Sequence, residues 1–346
     1  MRFGIFGGAA AGSGAGAPMG QGFLDFIEFN IEAEALGFRS TFLVEHHFTG
    51  WNQVSANLTL LTWLGARTRT LRLGTAVMVL PWHNPVLLAE QAATLDLMSG
   101  GRLDFGVGKG YRHTEFTGFC VPPTEADARF EEALDFILKA WTTRERFSHH
   151  GRFWRFEDVV VEPPTLQQPH PPIWMAAGSL PSVRRVAARG FNLILDQFAS
   201  EEQLTERIAT FHTETAAAGF GAREVAVARE MFVAHSQAEK DAAIARNHKA
   251  RQQIIGVSRA PGQERGSHIL AYANELTPSD ANTLIGLPDE IATRLEGLRK
   301  AGADYLILSC HGSREGLRRF ARELMPAFAD GGETASLAQA RAARSS

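Results

Sequence analysis

Four stretches of the sequence carry side chains capable of chemistry, and each closes an apolar run. Glu45-His46-His47-Phe48 follows 39–44, and Leu80-Pro81-Trp82-His83 ends the run 71–80. Gly108-Lys109-Gly110-Tyr111 follows 102–108 with Glu115 close behind, and Ala177-Gly178-Ser179 ends 173–177 with Ser182 one turn on. Paired histidines beside a glutamate offer metal ligation or proton transfer. Neighbours in a strand point to opposite faces, and no His-x-His pattern is present, so one histidine doing acid–base or electrostatic work is the better reading. A pair of imidazoles satisfied by backbone carbonyls is the plain alternative. Lys109 between glycines combines close backbone approach with a cationic point charge. Gly178, Ser179 and Ser182 at a helix start offer amides and hydroxyls that favour phosphate. Lying on adjacent strands, these two features suggest one phosphate pocket. His149-His150 reads as a solvated turn.

The intervening elements alternate between strand and helix. Phe23, Ile27, Ile31 and Ala35 fall four apart, with Gly37 where a helix C′ residue belongs. LRLGTAVMVL at 71–80 is apolar enough for a strand buried on both faces. Thr124 is placed to cap a long helix bearing Phe130, Leu134, Ile137 and Trp141, and Ser200 with Gln203 makes a capping-box pattern. The segment 151–164 reads as an inserted hairpin. A polar helix near 236–254, a less regular stretch about 256–286 and helices 287–300 and 313–328 complete the pattern. Strands centred near 3, 42, 75, 105, 175, 193, 230 and 306, each followed by a helix, predict an α/β fold, a (β/α)8 TIM barrel with insertions. One domain over 1–330 is expected, with insertions about 147–172 and 256–286 and a flexible tail at 331–346. A doubly wound sheet fits less well, because Gly106, Gly108 and Gly110 miss the G-x-G-x-x-G spacing. In a barrel, all four chemical stretches share the C-terminal rim. The Gly/Ala-rich segment 7–22 reads as a flexible solvated loop, or functionally as a mobile cover over that rim.

Composition removes several function classes. With 35 basic and 38 acidic residues the formal charge is −3, without the cationic excess that nucleic-acid phosphates require. No apolar run approaches a membrane span, and no signal peptide is evident, so a soluble cytoplasmic protein is expected. Two cysteines, Cys120 and Cys310, cannot build a disulfide scaffold or a cysteine-based zinc site. P-loop and nucleophile-elbow patterns are absent.

The chain resembles the bacterial luciferase-like family of flavin-dependent monooxygenases over essentially its whole length. The resemblance rests on Phe3-Gly4, EALGFRSTFLVEHHF at 34–48, the stretch 71–111, PHPPIWMAAGS at 169–179 and the Gly190-Phe191 turn. It implies a barrel that binds reduced FMN (FMNH2) or, in a sister branch, a deazaflavin. His46 matches the catalytic histidine. Thr75, Ala76 and Val77 match the stretch lying against the flavin ring, with a non-proline cis peptide expected at Ala76–Val77. Lys109 stands where luciferases carry a phosphate-pairing arginine, and Gly178, Ser179 and Ser182 match the same phosphate site. Gly108 replaces the reactive cysteine of luciferase, which argues against light emission. No metal is implied.

The leading expectation is an FMNH2-dependent monooxygenase that takes reduced flavin from a separate NAD(P)H:flavin reductase. With O2 it would form a flavin hydroperoxide, stabilised or protonated by His46, and oxygenate a small, mostly apolar organic substrate. Candidate substrate contacts are His47, Trp51 and Glu115, and Trp82 and Phe116 are further candidates for an apolar wall. The alternatives are deazaflavin-dependent hydride transfer, a non-catalytic flavin-binding protein and a metal-dependent hydrolase. By analogy with the family, a homodimer through the early helices is expected.

Overall fold

The computed structural model describes residues 1–12, 16–258 and 282–329. The apolar runs become strands β1 (Arg2–Gly7), β2 (Ser40–Leu43), β3 (Arg72–Thr75), β4 (Met78–Val79) and β5 (Leu103–Gly108). After the hairpin β6 (Phe147–His150) and β7 (Arg155–Val159) come β8 (Ile173–Ala176), β9 (Asn192–Leu195), β10 (Val225–Val233), β11 (Leu284–Gly286) and β12 (Tyr305–Ser309). Parallel pairing runs β12-β1-β2-β3-β5-β8-β9-β10, and β10 pairs back onto β12. The result is a closed eight-stranded parallel barrel, the expected (β/α)8 architecture. β4 continues the third barrel position beyond the cis Ala76–Val77 peptide and pairs with β5.

Helices α1 (Gln21–Ala35), α2 (Asn57–Arg67), α3 (Pro85–Met98), α4 (His113–Gly118) and α5 (Ala126–Thr142) follow the first strands. The second half adds α6 (Leu180–Ala188), α7 (Glu201–Ala217), α8 (Gln237–Ser258), α9 (Pro288–Lys300), α10 (Arg314–Glu323) and α11 (Met325–Phe328). Gly37 takes φ +90° after α1, as its C′ position demands. Ser200 and Gln203 form the anticipated capping box on α7.

Inside the barrel Phe42, Trp174, Ile194, Ala226, Ala228, Tyr305 and Ile307 form a buried cluster of their own. Phe6 and Ala76 pack on it and stay partly exposed, making an apolar floor. β3 and β5 approach each other closely at one point. A Cβ on Gly106 would lie 1.7 Å from the Thr75 carbonyl oxygen, while Thr75 Oγ1 exchanges two hydrogen bonds with the Gly106 backbone.

Several local expectations are corrected. Thr124 does not cap α5, because the short 3-10 turn Pro123–Glu125 precedes that helix and Glu125 takes the cap position. The hairpin starts earlier than 151–164, so His149 and His150 lie on β6 rather than in a solvated turn. His149 is part-buried against Glu132 at 3.2 Å. Glu132 also accepts the backbone N–H groups of 152–154, which fixes the hairpin turn. The single helix 313–328 breaks at Leu324 into two. The Gly/Ala segment is no free loop at 9–11, since Ala9, Ala10 and Ala11 pair with Asn52–Val54. A short strand, β11, appears at the end of the stretch 256–286; residues 259–281 of that stretch and the tail 331–346 lie outside the described residues.

The Gly106 contact gives a direct test. Gly106→Ala must displace backbone, so an unfolding titration should show a loss of at least about 3 kcal/mol or no soluble protein. Wild-type stability would contradict the close approach.

Candidate active site

β2 delivers Glu45, His46 and His47 to the C-terminal rim, and the alternation of side chains sends them to different partners. Glu45 is 2% exposed. Its Oε1 accepts hydrogen bonds from His47 Nε2 and His83 Nε2, both at 2.7 Å, and from Trp82 Nε1 at 3.3 Å. Its Oε2 accepts the Val79 N–H at 2.8 Å. This one carboxylate therefore ties the end of β2 to β4 and the turn after it.

Glu115, on α4, does the same on the other side. Its Oε1 accepts from His46 Nδ1 and from the His47 N–H, both at 3.0 Å. The two histidines thus serve separate carboxylates, as strand geometry requires. Among the described residues no group of three or more His, Cys, Asp or Glu is arranged to hold a metal ion.

The partner of Nδ1 fixes the tautomer of His46. A carboxylate accepts, so Nδ1 carries the proton and a neutral ring presents an unprotonated Nε2. A neutral ring of this tautomer can accept a proton at Nε2 and, once charged, donate it. Burial pushes its pKa below 6.5; the Glu115 hydrogen bond opposes this and the charge of Arg112 reinforces it. Burial would raise the Glu45 pKa, but the hydrogen bonds from His47, His83 and Val79 outweigh it and bring the group down to about 2.

An aromatic shell backs this centre. Trp82 stacks on Phe119 at 5.3 Å, His47 meets Phe119 edge-on at 4.7 Å, and Phe116 meets Trp82 at 5.1 Å. Gly110, at φ +78°, lets the chain pass under the Trp82 ring. Glu115 Oε1 and His47 Nε2, on two residues expected among the substrate contacts, are engaged in the network just described. Trp51 is 41% exposed.

Lys109 and the Arg185 side chain of α6 meet at Asp127, a residue for which the sequence offered no signal. Asp127 takes Lys109 Nζ at 2.8 Å and Arg185 of α6 at 3.5 Å, and the Lys109 bond holds its carboxyl below the ordinary range. Arg185 stands one helical turn beyond Ser182, a spacing that could have flagged it. Ser179 and Ser182 form a capping box in which each side chain bonds the other's backbone N–H. A cavity of about 350 Å³ also opens at the ends of β1 and β12, lined in part by Gly7, Ala10, Cys310 and His311; it does not reach His46.

With this geometry in place, comparison with known proteins is decisive. The model of the luciferase-like monooxygenase family matches residues 1–305. The chain belongs to the luciferase-like monooxygenase family. Protein y4vJ of Sinorhizobium fredii is 38% identical over 169 residues, about half of either chain (49% of this one, 48% of the other). The FMNH2-dependent dimethylsulfone monooxygenase of Pseudomonas putida is 28% identical over 321 residues, 87% of each chain. An F420-dependent glucose-6-phosphate dehydrogenase from Kineococcus radiotolerans is 33% identical over 169 residues, 47% of this chain and 49% of that one. The crystal structure of monooxygenase RslO1 from Streptomyces bottropensis superposes with a TM-score of 0.82 at 27% identity, covering 95% of this chain and all of that one. This luciferase-like monooxygenase is thus an oxidoreductase, and its family includes both flavin-dependent and F420-dependent relatives.

Titration of this luciferase-like rim has a defined sign. A histidine whose folded pKa is depressed costs stability as pH falls below 6.5. Glu45 contributes stability above 4.5, and that contribution is lost as pH falls toward about 2. Nitrogen-resolved NMR should find His46 titrating below 6.5 in the wild type and lower still in Glu115→Gln. An unshifted or raised value in either protein would contradict the assigned network.

Proposed function

We propose that this protein is the oxygenase component of a two-component system, using FMNH2 from a separate NAD(P)H:flavin reductase and O2 to oxygenate a small, mostly apolar organic substrate. The observation that carries this reading is the His46–Glu115 dyad at the end of β2, on a barrel whose interior presents an apolar floor. His46 Nε2 makes no hydrogen bond among the described residues, so it is free for a reacting group. The likeness to the FMNH2-dependent relative supports the cofactor.

The residues present fit a reduced flavin. The floor of Phe6 and Ala76 suits a planar aromatic ring, and the backbone of Thr75, Ala76 and Val77 forms its edge. Lys109, Gly178, Ser179 and Ser182 would hold the phosphate, Lys109 exchanging Asp127 for it. A phosphate there competes with the capping box, so binding trades internal hydrogen bonds for charge-assisted ones. When bound, reduced flavin supplies the electrons that activate O2. His46 Nε2 would take a proton from solvent and, with Glu115 stabilising the imidazolium, donate a hydrogen bond to the oxygen that gains negative charge, slowing its loss as H2O2. Glu45 keeps His47 and the Trp82 wall in place, excluding water from that exchange.

Exposed Trp63, Leu87, Leu97 and Met98 on α2 and α3 support a homodimer through these helices. A second reading, deazaflavin-dependent hydride transfer, draws support from the F420-dependent relative. Tighter binding of reduced deazaflavin than of FMNH2 would favour it.

The test of the oxygenase reading needs no substrate. His46→Ala should bind FMNH2 as the wild type does, yet on mixing with O2 release H2O2 about 10²-fold faster. Unchanged peroxide release would remove His46 from the chemistry.

A further inference from the structure

Arg112 is a buried cation on this rim without an acceptor of its own. It is 2% exposed, and neither Nε nor Nη1 has a hydrogen-bond partner among the described residues. Glu115 bonds His46 and His47 through Oε1, and Arg112 makes no ion pair with it or with any other of the described residues. Its guanidinium lies 5.8 Å from the Tyr111 ring centre, and that ring meets His46 edge-on at 6.3 Å. Its backbone is fixed as well, since the Arg112 carbonyl accepts the N–H groups of Glu115 and Phe116 at the start of α4.

A charge removed from water without a counter-charge is strongly unfavourable, so such groups are paired or await a ligand. A planar guanidinium with free donors matches a carboxylate, which it can hold through two parallel hydrogen bonds. The cofactor phosphate is the less suitable occupant. Lys109 bonds Asp127, which Arg185 of α6 also approaches, and Ser179 and Ser182 open that helix, whereas Arg112 lies close enough to His46 for its charge to act on that ring. The helix packed on α4, α8, also carries Asn247, 3% exposed and with neither amide atom partnered.

We infer that Arg112 anchors a carboxylate on the substrate, so that the substrate class is small organic acids whose apolar remainder lies beside His46. This deepens the oxygenase reading and rests on it. Arg112 is here a specificity residue: it orients the acid, and His46 handles the proton.

Protein labelled with 15N-arginine would be titrated with acetate, benzoate and hexanoate, and with benzamide and hexanol as neutral counterparts. The Arg112 Nε–H resonance is identified by its loss in R112K. It should shift saturably with the acids, at least about tenfold more tightly than with the neutral compounds. In R112K, which keeps the charge but not the fork, benzoate affinity measured by calorimetry should fall about tenfold while FMNH2 binding is retained. No shift with any of the three acids, or equal shifts with the neutral compounds, would overturn the inference. A shift produced by FMN but not by riboflavin would also overturn it, by assigning the guanidinium to the cofactor phosphate. If wild-type protein fails to bind FMNH2 while the acids still shift Arg112, the oxygenase reading falls and the anion site stands.

Discussion

Two buried carboxylates gripping one tripeptide are the constraint on which the rim depends. Glu45, Glu115 and the histidines between them are held at distances of 2.7 to 3.0 Å, and the grip runs from β2 to β4 on one side and α4 on the other. Charge-assisted bonds of this kind are the strong ones, and leaving one partner buried alone is costly. The rim is therefore firmly held where proton transfer is proposed. The barrel beneath it is ordinary packing: parallel strands buried on both faces and an interior filled by Phe42, Trp174 and Tyr305.

The same physics separates the two ends of the proposed cofactor site. At the histidine end the Glu45 carboxylate and one oxygen of Glu115 are buried and already bonded, while His46 Nε2 and the Arg112 donors are left open. At the phosphate end Lys109 and Asp127 are both more than half exposed, and the capping box satisfies the helix terminus internally. An ion pair in water is worth little, so its exchange for a phosphate is inexpensive. Rigidity is concentrated around the reacting atom, and adaptability around the handle of the cofactor.

Much of this was legible from the residues. The eight strands announced themselves as apolar runs, and strand alternation alone implied that His46 and His47 part company. The glycine-flanked Lys109 and the Ser179–Ser182 pair pointed to one region; in the structure Lys109 Nζ bonds Asp127, which Arg185 of α6 also approaches. What could not be read was tertiary. Which carboxylate each histidine meets depends on α4 folding back over β2, and that contact fixes the tautomer of His46. Thr124 failed as a cap because a proline-led 3-10 turn supplied the helix start instead. Arg112 gave no sequence signal beyond standing three residues before Glu115; its significance lies in a missing partner, and only a structure shows that.

The central claim is that the dyad-held His46 stands at the reduced flavin with Nε2 toward it. The most direct measurement follows the His46 ring nitrogens by 15N NMR during anaerobic titration with FMNH2. The account predicts one-to-one binding that moves Nε2 while Nδ1 stays bonded to Glu115. Saturable binding that leaves the His46 resonances unmoved would place the cofactor elsewhere and contradict it.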